Sequence, residues 1–501
     1  MNIRKLLTRL VSLALIAVFL PTVAMADTWY LEDGSITVSA TDSGQSVSQG
    51  GVTKEDSAPV IRNRDSSAST TNNVTIRADT GATANVTLED TNIDTTGGAG
   101  PKSAGDAAVR TEGGGNVNLN VELDNTLQSG NTRAGVEKGN GGNLTIGSES
   151  GSGQLVATGG DGGAGIGGGE NTGAENITIT GGDIFAIGNG GGAGIGGGWD
   201  CSASDITITG GNVTAVGKQD DPGRIGGAGI GGGGSQTSNA GSGTNIKITG
   251  GRVTAVGGNY SAGIGGGYGS NGENITISDA EVIAIGGTCS AGIGGGCRNL
   301  DSTAAGEGKN ISISGSANVK AAGGVGDSMD GAGAAIGAGG SHQGTTLVDA
   351  QEGDVGTSGL SPDGSVERLD PGTTFDIPQP KPRSSFLTAS AEPQPVKAAL
   401  YRVIDETGKA LPVETKQEDG VLLLTAQADI AILEGAISGL QTLQSRGIDT
   451  ITFTNGTISV SFSLAEVIAK GASSDVYRLT LSGGEANFTL ADADITALLG
   501  Q

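Results

Sequence analysis

The segment Ala-Gly-Ile-Gly-Gly-Gly occurs five times in this chain, beginning at Ala164, Ala193, Ala228, Ala262 and Ala291. A degraded copy, Ala-Ala-Ile-Gly-Ala-Gly, begins at Ala334. Successive starts are 29, 35, 34, 29 and 43 residues apart. Self-similarity at this period marks a stacked-repeat architecture, in which a unit buries its apolar side only against its neighbours. Each unit also carries Asn-Ile-x-Ile, as at Asn176 and Asn245, and then a short apolar run such as Ile184-Phe185-Ala186-Ile187.

Within Asn176-Ile177-Thr178-Ile179-Thr180 the isoleucines alternate with threonines, so one face is apolar and the other polar. Three such segments per unit, separated by glycine or polar turns, predict a three-faced parallel β-helix. The 95 glycines disfavour helices by about 1 kcal/mol per site and suit tight corners. Asn176, Asp205, Asn245, Asn274 and Asn310 recur at one place in the unit and are expected to stack as a structural ladder. Looser copies at Asn73, Asn85, Asn116 and Asn143 extend the pattern toward the N-terminus. The solenoid is therefore expected over 27–350, with Trp29, Tyr30 and Leu31 capping its first coil.

The flanks differ in kind. Residues 1–26 read as a secretory signal peptide: Arg4, Lys5 and Arg9, then an apolar stretch, then Ala24-Met25-Ala26. No later transmembrane segment is expected, which places the chain outside the cell, secreted or at the surface. Residues 351–395 read as a Pro-rich linker, and 396–501 as a small α+β domain. In that domain Ile430, Leu433, Ile437, Leu440 and Leu443 follow helical spacing, and Ser463 to Glu466 forms a capping-box pattern. The fold expected is thus mainly β: a parallel β-helix, a Pro-rich spacer and a small α+β C-terminal domain.

Removal of the leader takes the formal charge from −25 to −28. That argues against nucleic acid, whose affinity rests on basic contacts. The adjacent acids Asp220 and Asp221 sit in an insertion and are a weak candidate for calcium, the only cofactor considered. Three cysteines make no disulfide framework. Cys289 and Cys297 can meet only if the chain folds back between them, and Cys201 and Cys297 occupy near-equivalent places. With one histidine, His342, and no Cys-x-x-Cys, the spacing signals no zinc site. The dinucleotide-like glycine pattern at Gly163 recurs at the coil period and is structural. Aromatic residues are scarce, so Trp199, Tyr260 and Tyr268, which lie beside the glycine runs, are the candidate ligand contacts, expected to be exposed. No catalytic constellation is seen.

Units such as Asn176 to Gly188 followed by Ala193 to Gly198 resemble the glycine-rich β-helix proteins exported by Gram-positive anaerobes, within the pectin-lyase-like superfold. The resemblance covers about 73–340. It implies a right-handed helix, in keeping with the usual hand of β-crossovers. It also implies an adhesin-like or carbohydrate-binding role, with a polysaccharide or surface glycan as partner. It transfers no catalytic residue; Asp200, Asp205 and Arg224 are the nearest acid–base set by repeat position. Two other readings remain: a structural rod displaying the C-terminal domain, and a polysaccharide lyase or hydrolase.

Overall fold

A computed structural model describes residues 27–98, 105–218, 225–235, 240–298, 304–343, 346–381, 401–406, 411, 413–418, 420–426, 428–445, 448–471, 475–491 and 493–500. The expected leader, Asp220, Asp221 and Arg224 lie outside these residues. The chain divides into two compact units, Met1–Ser384 and Ser385–Gln501.

The first unit is a parallel β-helix whose three faces are sheets of 11, 9 and 12 strands. Identical residues stack from coil to coil. On the third face Ile166, Ile195, Ile230, Ile264, Ile293 and Ile336 form one continuous column in register. On the second face Ala186, Ala215, Ala255, Ala284 and Ala321 do the same. Every member of both columns is buried, which is how units too small to own a core share one. The first face adds a third column through Ile177, Ile206 and Ile246.

The corner entering the first face explains the recurring Asn and Asp. Asn176, Asp205, Asn245, Asn274 and Asn310 all have left-handed backbone, with φ between 54° and 57°. Among non-glycine residues, Asn and Asp tolerate that region best. Their amides then join the coils: Asn245 Nδ2 donates to Asp205 Oδ1 at 3.1 Å, Asn274 to Asn245 at 3.1 Å and Asn310 to Asn274 at 3.0 Å.

Both ends of the solenoid are covered. At the start, Ile36–Thr41, Gly44–Gln49 and Val52–Glu55 form an antiparallel extension of the third face. Trp29 packs on the core and its Nε1 donates to Asp56 Oδ2 at 2.8 Å, while Leu31 is fully buried. At the far end the expected linker from 351 needs correction. Val355–Gly356 pairs with Ile311–Ser312 and Ser365–Leu369 with Asn318–Ala322, so two faces continue past 350. Val355, Leu360 and Val366 supply the apolar residues that seat this last turn on the core.

The following stretch, with Pro371, Pro378 and Pro380, runs back along the second face as a strap. Gly372 N donates to Gly323 O at 2.8 Å. Several coils away, Lys381 N donates to Gln154 Oε1 at 2.8 Å and Lys381 Nζ to Asp183 Oδ2 at 2.7 Å. Pro378, Gln379 and Lys381 share with Phe185, Thr214 and Thr254 the lining of a cavity of about 290 Å³ between strap and sheet. Burial alone would raise the Asp183 carboxyl, but hydrogen bonds from Asn212 and Lys381 hold it below its ordinary value of 3.8. A depressed folded value contributes stability above the unfolded value, which is lost as pH falls through the folded one. Lys381 is largely exposed, so the pair is worth only about 0.2–1 kcal/mol. Protection of the strap should therefore fall, by at most about fivefold, below pH 3.8, and by the same amount at neutral pH in Lys381→Ala. Hydrogen exchange across 371–381 measures this; equal protection in wild type and variant would show that the contact does not hold the strap.

The second unit contains a five-stranded and a four-stranded sheet with two short helices. Hairpins turn at Asn455-Gly456 and Gly483-Gly484, joining Thr450–Thr454 to Ser459–Ser463 and Val476–Ser482 to Glu485–Leu490. Two expectations fail. Ile430–Ala436 is a strand, and the helix begins only at Ile437 and ends at Ser445. The reason is tertiary: this strand is flanked by Arg402–Ile404 on one side and Val476–Ser482 on the other. Leu464–Ile468 is helical, but Ser463 makes no side-chain cap. No described helix is long and apolar enough to cross a membrane.

Candidate functional site

Each coil presents a glycine-rich loop before and after its third-face strand, and the same two positions meet in successive coils. They lie two residues before and six residues after the alanine that opens the Ala-Gly-Ile segment. The backbone fixes the register: Trp199 N donates to Gly162 O, Gly234 N to Gly191 O, Cys297 N to Tyr260 O, and Gly340 N to Cys289 O. Within single coils the two positions form the pairs Gly191 with Trp199, Tyr260 with Tyr268, and Cys289 with Cys297. Trp199, not Cys201, is thus the counterpart of Cys297; Cys201 lies two residues further on and is only part-buried.

Each pair solves its packing differently. Trp199 is part-buried and lies against bare backbone: a Cβ on Gly191 would sit 2.0 Å from the indole. Tyr260 and Tyr268 have ring centroids 5.6 Å apart, tilted by 54°. Tyr268, expected to be exposed, is buried, because Tyr260 folds across the loop onto it and Ile225 closes the same cluster. Tyr260 is part-buried and donates to Asp327 Oδ2 at 3.0 Å. Burial and then the Asp327 carboxylate push its hydroxyl well above the usual range. Of the three aromatic candidates, Trp199 is part-buried and, among the described residues, has no aromatic neighbour.

The cysteines meet because the chain does fold back. Cys289 has φ 58°, the left-handed conformation that Tyr260 also adopts with φ 66° in the preceding coil. Both thiols are fully buried, and their sulfurs lie with an Asp330 carboxylate oxygen inside a 4.8 Å cluster. Hydrogen bonding to Cys289, then burial, drives the Cys297 thiol far up. Asp330 is held by Arg298, with Nε 2.7 Å from Oδ1 and a terminal nitrogen 3.3 Å from Oδ2. His342 Nδ1 lies 3.3 Å from the same Oδ1. Sequence spacing gave no hint of Asp330 or Arg298.

Where the third face turns into the first, a groove of about 530 Å³ crosses four consecutive coils. Lys138, Asn140, Thr172, Glu175, Ser202 and Thr244 are among its lining residues, with bare glycine between them. Lys138 hydrogen-bonds the Asn140 carbonyl; burial lowers its ammonium's affinity for the proton, and Glu175 opposes that shift. Asp205 belongs to the corner ladder and Asp200 to the turn after Trp199; Arg224, the third member of the acid–base set, lies outside the described residues.

The stacked units also have a counterpart among known families. Residues 177–199, 206–234, 246–268 and 275–297 match the family model described as Beta helix repeat. The match and the stacked coils agree on a parallel β-helix fold. The matched repeats begin within the first-face strands, and each ends at or just past the loop position held by Trp199, Gly234, Tyr268 or Cys297. Such repeats occur in both enzymes and non-enzymes, so the match speaks to the fold and leaves the chemistry open. No curated protein and no solved structure matches the chain.

Proposed function

We propose that this β-helix is an exported, non-catalytic module that binds a linear glycan along its lateral groove, in the manner of an adhesin. The groove carries the reading. It crosses four coils, roughly 14 Å at about 4.8 Å per coil, a span of a few sugar units. Hydroxyls of Thr172, Ser202, Ser204 and Thr244 line it on three coils, with Ser204 and Thr244 in register on neighbouring ones, suited to the repeated hydroxyls of a polymer. Trp199, three residues before Ser202, offers the flat apolar face that sugar rings stack on. Tyr260 and Tyr268 act behind it as packing. Calcium at Asp220 and Asp221 remains part of the proposal as a bridge to an acidic glycan.

One observation favours a second reading, polysaccharide cleavage. Lys138, which burial shifts toward neutrality, faces this groove with Glu175 close enough to act on it electrostatically. A weakened ammonium beside a carboxylate is a candidate proton-transfer pair.

The test is a polysaccharide array probed with residues 27–501, with calcium and with chelator, followed by sugar analysis of the supernatant. Wild type should bind selectively without releasing products, and Trp199→Ala and Glu175→Gln should each weaken binding about tenfold, the effect of about 1.4 kcal/mol. Product release abolished by Lys138→Met would establish the second reading. Absence of binding in both conditions would discard the first and leave a structural rod.

A further inference from the structure

We infer that Cys289, Cys297 and Asp330 form a binding site for a borderline-soft divalent transition metal of the zinc type. This does not depend on the glycan reading. The three ligand atoms lie within 4.8 Å of one another, and all three residues are buried. A tetrahedral ion with metal–sulfur bonds near 2.3 Å and metal–oxygen bonds near 2.1 Å sets its ligands roughly 3.5–3.8 Å apart. Side-chain adjustments of about 1 Å therefore close the site. Thiolates favour zinc over the hard cations calcium and magnesium.

The fold supplies what the sequence spacing lacks. In known zinc motifs a tight Cys-x-x-Cys turn brings two sulfurs together. Here the coil does so across eight residues, because the two loop positions meet in neighbouring coils too, where they hold Tyr260 with Tyr268 or Gly191 with Trp199.

Charge balance supports a dication. Without metal, Sγ of Cys289 lies 3.8 Å from the Asp330 carbonyl and Sγ of Cys297 3.8 Å from the Gly340 carbonyl, each placed to donate to it. The buried Asp330 carboxylate is matched by the buried Arg298 guanidinium. Binding exchanges two thiol protons for one M²⁺, forming two metal–sulfur bonds with no change of oxidation state. Two thiolates, one carboxylate, one guanidinium and one dication again sum to zero. Cys289, Cys297, Asp330 and Arg298 thus take up the ion without a change in their summed charge, and the part-buried Asp327 carboxylate beside them adds attraction for a cation. Arg298 then serves as the hydrogen-bonded partner that orients a ligating carboxylate. His342, part-exposed and 3.3 Å from Asp330, is the nearest further donor, on the side open to solvent.

Cobalt(II) reports this directly. The chain 27–501, reduced and stripped with chelator, would be titrated with Co²⁺ both as folded protein and during refolding, since the site is buried. The expected result is one cobalt per chain, two protons released, thiolate-to-cobalt absorption in the near ultraviolet and tetrahedral bands in the visible. Cys289→Ser with Cys297→Ser should abolish the thiolate band and weaken binding at least 100-fold. Cys201→Ser should leave both intact and controls for the remaining thiol. Circular dichroism confirms that each variant is folded; if the double variant is not, Cys297→Ser alone, expected to lose about half the thiolate band, decides. Reduced wild type that takes up no cobalt by either route overturns the proposal. So does uptake that survives loss of both cysteines, or an isolated Cys289–Cys297 disulfide whose reduction restores no binding.

Discussion

Gly265→Ala should destabilise the solenoid by about 4 kcal/mol or more, a range that point substitutions rarely reach. Gly265 has φ +133°, and its counterparts Gly167, Gly196, Gly231, Gly294 and Gly337 lie between +132° and +148°. A Cβ there would stand 2.1 Å from the Gly294 carbonyl oxygen of the next coil. No rotamer relieves this, because both partners are backbone. Gly34→Ala is the control: its φ is +124°, and nothing lies within 4 Å of the added carbon. It should show only the conformational cost, about 1–2 kcal/mol. Chemical denaturation followed by far-ultraviolet circular dichroism compares them, and equal losses would mean that coil contact contributes nothing to the glycine requirement.

Phe488→Ala should cost about 3–5 kcal/mol in the second unit, the usual range for a buried aromatic. Its ring centroid lies 4.8 Å from that of Phe462 and 6.3 Å edge-on from that of Tyr477, and all three are buried. Tyr477→Phe in the same cluster should go the other way, by about 1 kcal/mol. Its buried hydroxyl has no hydrogen-bond partner among the described residues, and such a group is better removed than kept. Hydrogen exchange at Val476–Leu490 in the full chain reads both changes. A loss under 1 kcal/mol for Phe488→Ala would show that this aromatic cluster is not what holds the unit together.

The β-helix was legible because its period is written directly in the residues: Ile166, Ile195, Ile230, Ile264 and Ile293 each stand in the same six-residue phrase. The corner ladder was legible for the same reason, although its left-handed backbone was not. What escaped depended on contacts between positions that no phrase links. Val355 and Val366 join the core with no repeat around them, so the solenoid's end was placed too early. Tyr268 looked exposed because its cover, Tyr260, reaches it across a fold-back. Ile430 and Leu433 fit a helical stripe, and only the flanking strands decide against it. The Cys289, Cys297 and Asp330 cluster draws on three places in the chain, and its spacing matches no metal motif.

The parallel stacking of coils also governs how the first unit answers a pull. Hydrogen bonds between parallel neighbours point from one strand to the next, which here means along the solenoid axis. Tension along that axis loads one coil boundary at a time, as a zipper is opened, instead of sharing force among many boundaries. In the regular region each released coil surrenders 29 to 43 residues. At about 3.4 Å per residue that is roughly 100–150 Å of chain, given up for about 4.8 Å of rod. The first unit is therefore a reel: short at rest, and able to lengthen many-fold in steps under load.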